Sequence, residues 1–448
     1  MKTLRALAPT LLLALPSLAV AEGPLTLDDA LALAARQNPD LAMAREDAAS
    51  SGADKSTAVA LVLPRLDLTA AAGQTRVDTG FGQIVDPITG QVVSGYSKNA
   101  AYSWTASVNQ TLFDWPTFKG IQRASAAAAA SQRQYDEASL TVAFDVTRRF
   151  YELVRAQRTL EVLEKTAART EELVRRVDAL YGAGKATRAD TYTNRVNLGN
   201  DRIAAEQQRA VVVQARTALA QVLGKGDAES AKLEVAVPPS LAGNAAKVVE
   251  PPTPEAVLEI ARKRRPAVAA AREQVKTAEA SIGASQGRYL PVVAAQLSYN
   301  RDASKLTGEG GVISDPQKGY SSSALLTLTW NLFEGLGTSA AVQRAESQAR
   351  RARAAEDRVL SALVKEIADA RAQAASSAVQ VGLASDNLAT AENALALARE
   401  RLETGLATQL EVREANLNLT RAELSLVEAR IAHAEAFADL ARASGGPL

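Results

Sequence analysis

Cysteine is absent from the 448 residues. That excludes a disulfide framework, a thiolate metal site, a catalytic thiol and lipid attachment at a processed N-terminus. His433 is the one histidine, so no histidine metal constellation is available. No Ser-His-Asp set, phosphate-binding glycine loop or pocketed carboxylate pair is visible either, and no cofactor, metal or enzymatic activity is expected. Aromatics are 4%, low for a compact globular core and ordinary for alanine-rich packed helices. Charge of neither sign prevails, with 51 basic against 50 acidic residues, which argues against nucleic acid as a partner. Long apolar runs are missing after the first twenty-odd residues, so no transmembrane helix is expected in the body of the chain.

That first stretch has Lys2 and Arg5, an apolar run from Leu7 to Val20 and then Ala19-Val20-Ala21. A basic start, a short apolar run and small residues at the cleavage position read as a secretory signal over residues 1–21.

The remainder is written twice. Arg36-Gln37-Asn38-Pro39 returns as Arg264-Arg265-Pro266, Leu63-Pro64 as Leu290-Pro291 and Leu112-Phe113-Asp114 as Leu332-Phe333-Glu334. Gly184-Lys185-Ala186-Thr187 returns as Gly405-Leu406-Ala407-Thr408. Such self-similarity signals one structural unit used twice. The reading is a first repeat over 22–224, a connector over 225–253, a second repeat over 254–444 and a tail over 445–448.

Proline is missing between Pro116 and Pro238 and again between Pro316 and Pro447, which permits very long helices. A heptad seam runs through Leu153, Ala156, Leu160, Leu163, Ala167, Thr170, Val174, Val177 and Tyr181. Another runs from Leu360, Leu363 and Ile367 to Leu395, Ala398 and Leu402, and continues through Leu410, Leu417, Leu424 and Ile431. This period predicts left-handed coiled packing. Long helices are placed at 116–181 and 336–403, each roughly 100 Å at 1.5 Å per residue. Shorter return helices follow at 188–224 and 408–443. Helices near 40–62 and 267–288 make up the missing length by stacking end to end on the returning ones.

Between these helical stretches the period becomes two. Leu66, Leu68 and Ala70 alternate with Arg65, Asp67 and Thr69, and Tyr102, Trp104, Ala106 and Val108 with Ser103, Thr105 and Ser107. The second half repeats this through Val293, Ala295, Leu297 and Tyr299, then Ala324, Leu326, Leu328 and Trp330. Strands are expected at 65–78, 100–113, 291–301 and 320–333, as two hairpins with one wet and one dry face. Tyr102, Trp104, Tyr299, Tyr320 and Trp330 lie where an aromatic girdle of a membrane barrel would sit. Four strands cannot close a barrel, and open edges are not tolerated in lipid. Identical copies must therefore share one, and a dimer, trimer or tetramer satisfies this argument equally.

The order and spacing of these motifs resemble the TolC-like outer-membrane efflux proteins of Gram-negative bacteria. The marks are Leu25-Thr26-Leu27-Asp28-Asp29-Ala30-Leu31 with Asn38-Pro39, Leu63-Pro64 and Gln110-Thr111-Leu112-Phe113-Asp114. The second half adds Trp330-Asn331-Leu332-Phe333-Glu334-Gly335 and Leu402 through Gly405. The resemblance implies a mixed α and membrane-β fold, a homotrimer with a 12-stranded β-barrel continued by a 12-helix periplasmic α-barrel. It also implies an outer-membrane site and partnership with a periplasmic adaptor and an inner-membrane pump. The cargo would be drugs, small toxic molecules or a secreted protein. A soluble periplasmic coiled-coil adaptor or scaffold is the competing reading.

The helix turns at Gly184 to Thr187 and Gly405 to Thr408 are expected to be docking tips, with C-cap glycines and N-cap threonines. Glu411 and Glu414 share a helix face three residues apart; repeated around an axis they would form acidic rings. The resemblance puts both at the tunnel entrance. It also matches Asp190 to an aspartate that holds the mouth closed. Leu402 and Ala407 stand where its tyrosine and arginine partners are expected, so Arg188 and Arg413 are the candidate substitutes.

Overall fold

The computed structural model describes residues 24–78, 84–85, 92–93, 96–226, 233–238, 241, 252–313 and 319–446. The secretory signal, most of the connector and the last two residues of the tail lie outside them. The first half holds α1 (Leu27–Gln37), α2 (Pro39–Ala60), β1 (Arg65–Asp78), β2 (Ile84–Val85), β3 (Val92–Val93), β4 (Tyr96–Phe113), α3 (Trp115–Gly182) and α4 (Arg188–Val222). The second holds α5 (Pro254–Arg264), α6 (Pro266–Gln286), β5 (Val292–Ala303), β6 (Tyr320–Thr329), α7 (Gly337–Glu403) and α8 (Gln409–Ser444). Helices α3 and α7 contain 68 and 67 residues, the spans that proline avoidance allowed. Proline stands at the first position of α2, α5 and α6, where its missing N–H costs no hydrogen bond.

Four strands form one antiparallel sheet in the order β1-β4-β5-β6. The register pairs Leu68 with Ala106, Ala106 with Tyr299 and Tyr299 with Ser322, so these share one face. That face carries Leu66, Leu68, Val108, Leu297, Leu326 and Leu328; the other carries Thr69, Ser107, Asn109, Gln296, Ser298 and Thr327. Leu66, Leu68, Leu326 and Leu328 are 63% exposed or more, while at the Trp104 end of the same face Leu306, Val312 and Ile313 lie against it and Trp104 Nε1 donates to Val312 O at 3.2 Å. Strand β4 reaches back to Tyr96, because backbone pairing from Gln74↔Ala100 to Asp78↔Tyr96 needs no apolar alternation. Strand β6 stops at Thr329 rather than 333: its last partner is Val292, and Pro291 before it has no N–H to continue the ladder.

The chain forms two compact units, each built from both sequence halves. One comprises the described residues of Met1–Asn38, Asp145–Val249 and Ser377–Glu435; the other comprises Pro39–Phe144, Glu250–Ser376 and Ala436–Leu448. In the first, Leu173 and Val177 of α3 pack on Leu395 of α7 and on Val412 and Leu419 of α8. In the second, Val257 and Val268 of α5 and α6 pack on Leu363 and Ile367 of α7 and on Leu440 of α8. The α7 seam buries Leu363, Ile367, Ala370, Ala374, Ser377, Val381, Ala384 and Leu395, following the predicted heptad. On α8 the buried line runs through Val412, Asn416, Leu419 and Leu426, two residues on from the Leu410, Leu417 and Leu424 read in the sequence, whereas Ile431, the last of that series, is buried at 2% exposure; Leu410 is 74% exposed. Two apolar stripes run along α8, and periodicity alone does not say which one faces the chain's own helices.

The duplication extends to the helix ends. Gly224 (φ +72) and Gly445 (φ +88) close α4 and α8, each with the two backbone bonds of a Schellman motif. Just before Pro39, Asn38 donates its Nδ2 to Val222 O at 2.7 Å. Just before Pro266, Arg265 donates to the carbonyl of Arg442 and pairs with Glu137 at 2.7 Å. A Cβ on Gly224 would lie 2.3 Å from Gln37 O, and one on Gly445 would lie 2.9 Å from Arg264 C. Replacing Gly224 with alanine combines that backbone clash with a left-handed φ and is expected to cost at least about 2 kcal/mol. Gly52→Ala, in the interior of α2 with open space around it, is expected to gain up to about 1 kcal/mol. Thermal midpoints of the two purified variants, falling on opposite sides of the parent, check this.

Candidate functional site

The two turns between long helices are built alike. At the end of α3, Gly184 N–H bonds to Tyr181 O and Lys185 N–H to Leu180 O; at the end of α7, Gly405 N–H bonds to Leu402 O and Leu406 N–H to Arg401 O. Gly184 and Gly405 take φ of +70 and +75, the left-handed step this motif requires. Thr187 and Asp190 then form a capping box on α4. Thr187 Oγ1 accepts from Asp190 N–H at 3.2 Å, and the Asp190 carboxylate accepts from Thr187 N–H at 2.9 Å and its hydroxyl at 2.7 Å. Thr408 and Glu411 repeat this on α8 at 3.3 Å in both directions. The hydrogen bonds from Thr187, side chain first and backbone second, hold the Asp190 carboxyl below its ordinary range.

Asp190 is thus occupied with its own helix start. Arg188 is too: its Nε donates to Tyr192 Oη at 2.9 Å, and its guanidinium lies 5.5 Å from that ring's centre. Arg413 turns to a residue that sequence reasoning missed. It pairs with Asp201 of α4 at 2.8 and 2.9 Å, and its NH1 also donates to Thr170 Oγ1 of α3 at 3.0 Å. Thr170 in turn donates to Asp201 at 2.6 Å. Both charged side chains are nearly buried, at 12% and 11% exposure, so Arg413 has no reach left for Asp190 within the chain.

This clamp is accompanied by further cross-helix ties between α3 and α8. Arg169 grips Glu423 at 2.8 and 2.9 Å, beside a Thr166–Thr420 hydroxyl contact of 2.8 Å. Arg155 reaches both Glu435 oxygens, at 2.8 and 2.9 Å. Burial raises the Glu435 carboxyl above its usual range although Arg155 pulls it down. Burial also lowers His433, whose Nδ1 lies 3.0 Å from Ser377 Oγ. Glu411 serves its cap and sits 3.9 Å from Arg401, whereas Glu414 is exposed and bonds to no described side chain.

In the other unit, Trp104, Tyr299 and Tyr320 form a continuous aromatic row on the apolar sheet face. Ring centres are 5.2 Å apart for the first pair and 5.3 Å for the second, which is stacked at 11°. Tyr102 shares that face. Trp330 follows the last residue of β6 and donates its Nε1 to Tyr289 O at 3.0 Å. Tyr320 opens β6 and Trp330 follows its end, so aromatics bracket the apolar band.

The model of the outer membrane efflux protein family matches residues 30–225 and 257–446. Outer membrane protein OprJ of Pseudomonas aeruginosa is 28% identical over 71% of this chain and 64% of its own length. Protein CyaE of Bordetella pertussis is 31% identical over 50% of this chain and 48% of its own length. The match thus spans less than two thirds of either relative. The crystal structure of the outer membrane protein VceC of Vibrio cholerae superposes with a TM-score of 0.76 at 19% identity, covering 94% of this chain and 96% of that one.

Removing one member of the Arg413–Asp201 pair strands a nearly buried charge, and Asp201→Ala is expected to cost about 3–5 kcal/mol. Asp201→Leu combined with Arg413→Met is expected to recover most of that, in a thermal or denaturant double-mutant comparison. For His433 the folded state prefers the neutral ring, so its contribution is present above the unfolded value near 6.5 and is lost as pH falls through that value. The midpoint of the His433→Asn variant is therefore expected to fall less than the parent's on acidification below about pH 6.5.

Proposed function

Since the chain belongs to the outer membrane efflux protein family, we propose that it is a passive outer-membrane exit duct, carrying small toxic molecules, drugs or a secreted protein from an inner-membrane pump to the outside. The observation that carries this reading is the four-stranded sheet with one apolar face whose leucines are exposed, one polar face and, among the described residues, two unpaired edges, β1 and β6. Three successive antiparallel pairings leave β6 antiparallel to β1, so β6 of one copy extends the ladder beside β1 of the next. Three copies supply twelve strands, an allowed barrel count, with the apolar face to lipid and the polar face to a water-filled lumen. Trp104, Tyr299 and Tyr320 on one side, and Trp330 on the other, mark the two lipid–water interfaces.

The long helices continue the passage into the periplasm as a tunnel. Exposed apolar side chains such as Tyr192, Val196 and Ile203 on α4, and Val379, Leu383 and Leu397 on α7, are the surfaces neighbouring copies cover. The turns at Gly184–Thr187 and Gly405–Thr408 are the tips on which a periplasmic adaptor and the pump dock. Glu414, whose side chain bonds to no described side chain, and Glu411 beside it line the entrance as acidic rings. The Arg413–Asp201–Thr170 clamp sets the closed mouth: any swing of α8 away from α3 and α4 must break it. Transport energy is the pump's.

Protein purified in detergent is expected to run as particles of three chains, to stay in membranes after carbonate extraction and to give single-channel conductance in planar bilayers. Absent conductance, with release by carbonate, would overturn the duct. Glu411→Ala combined with Glu414→Ala is expected to move the reversal potential under a salt gradient toward zero, because ring carboxylates favour cations. An unchanged reversal potential would remove both residues from the entrance.

A further inference from the structure

The duplicated sequence holds two hairpins but only one joint between them. The repeat carries Leu63-Pro64 onto Leu290-Pro291 and Leu112-Phe113 onto Leu332-Phe333, so β1 corresponds to β5 and β4 to β6. The sheet obeys that correspondence residue by residue. Arg65↔Asn109, the last pair of β1 with β4, becomes Val292↔Thr329, the last pair of β5 with β6. A side-chain tie follows it too. Gln110 donates its Nε2 to Val62 O at 2.8 Å, and in the second half Trp330 donates its Nε1 to Tyr289 O at 3.0 Å, each residue in the place of its counterpart.

The joint between the hairpins is β4 with β5, which pair as Ser107↔Ser298 and Val108↔Leu297. Past Asn109, where β1 has ended, β5 alone keeps β4 extended to Phe113, through Thr111↔Ala294 and Phe113↔Val293. Strand β6 has no such neighbour among the described residues, and it stops at Thr329. The next four residues are all exposed, Leu332 and Phe333 at 77% and 81%. At the opposite edge Leu61, Leu63, Leu66 and Leu68 are exposed as well. Each edge therefore ends in apolar side chains that the other hairpin's equivalents have covered.

We propose that β6 of one copy pairs with β1 of the next in the register that β4 keeps with β5: Leu326↔Ala72, Thr327↔Ala71, Leu328↔Ala70, Trp330↔Leu68 and Phe333↔Leu66. This rests on the shared-barrel reading and fixes how its copies join. The pleat agrees with it. Leu326 and Leu328 stand beside Ala72 and Ala70 on the apolar face, and Thr327 stands beside Ala71 on the polar one; a slip of one residue would mix the faces. Pairing with β1 carries β6 on to Phe333, the length its alternating sequence predicts, and sets Leu332 and Phe333 against Leu63 and Leu66 of the next copy. The helix ends agree as well. Within the chain Gly287 lies against Trp115 and Pro116, where a Cβ would come within 2.7 Å of both. Across the seam the equivalent positions hold Ala60 against Gly335 and Leu336, so the methyl that Gly287 has no room for returns where the indole is missing.

The test uses the full chain, which has no cysteine of its own, so two introduced thiols report one contact. Within a chain β4 and β5 separate β1 from β6 by three strand spacings, about 14 Å, too far for a disulfide. Successive pairs of an antiparallel ladder alternate between close and wide, so two neighbouring pairs are oxidised in the membrane: Ala70→Cys with Leu328→Cys, and Ala71→Cys with Thr327→Cys. Each is expected to give covalent two- and three-chain species on a non-reducing denaturing gel. Leu68→Cys with Leu328→Cys, and Ala72→Cys with Leu328→Cys, are diagonal at about 7–8 Å and are expected to give little. No crosslinking at the aligned pairs, or more at a displaced pair, in variants that still conduct, overturns the register and leaves the duct standing. An unsubstituted chain that neither conducts nor forms three-chain particles removes the duct and the seam with it. Amide exchange of the unsubstituted particle gives a readout that no variant's folding can obscure. Trp330 to Phe333 are expected to be protected as in a strand, and exchange there at the open-chain rate overturns the seam.

Discussion

An unpaired β-edge cannot lie in hydrocarbon, because each backbone N–H and C=O there loses water without gaining a partner. Most of this molecule follows from that constraint. In the proposed duct, a sheet of four strands with an exposed leucine face satisfies it by joining other copies of itself. In that proposal the sheet's polar face lines the passage. Duplication is the economical answer, since each half supplies one hairpin and one pair of coil helices in the same order.

The helical part meets a different demand. Its seams are lined by alanine, serine and threonine as often as by leucine, so apolar burial per residue is small. Charge pairs between helices then carry more of the specificity. Arg413 with Asp201, Arg169 with Glu423 and Arg155 with Glu435 tie α3 and α4 to α8 at three heights. Partly buried pairs of this kind add little net stability but penalise any register that leaves a charge alone. In a helix pair that could slide by a heptad and still pack alanine on alanine, that penalty defines the alignment. Arg265, with Glu137 and Glu366 around it, performs the same task where α5 meets α6.

Features set by neighbours in sequence were legible before any coordinates. Gly184 and Thr187, with Gly405 and Thr408, announced their turns because the C-cap and the capping box operate within six residues of chain. The proline-free spans and the switch from heptad to alternating period located α3, α7 and the four strands for the same local reason. The partners of the arginines were not legible. Asp201 lies 212 residues from Arg413, and Glu423 lies 254 from Arg169, with no spacing rule to connect them. The α8 seam was misplaced by two residues from Leu410 to Leu424, though not at the buried Ile431, because that helix carries two apolar stripes. Only contact with α3 and α7 separates the inner one from the outer.

Amino-acid order alone therefore determined the element types, the duplicated plan and the capped turns, all consequences of backbone geometry and of polarity repeating over a few residues. Tertiary structure decided which stripe of α8 is inside and which carboxylate each arginine holds. Those outcomes depend on how side chains hundreds of positions apart meet across packed helices, and no local periodicity encodes that meeting.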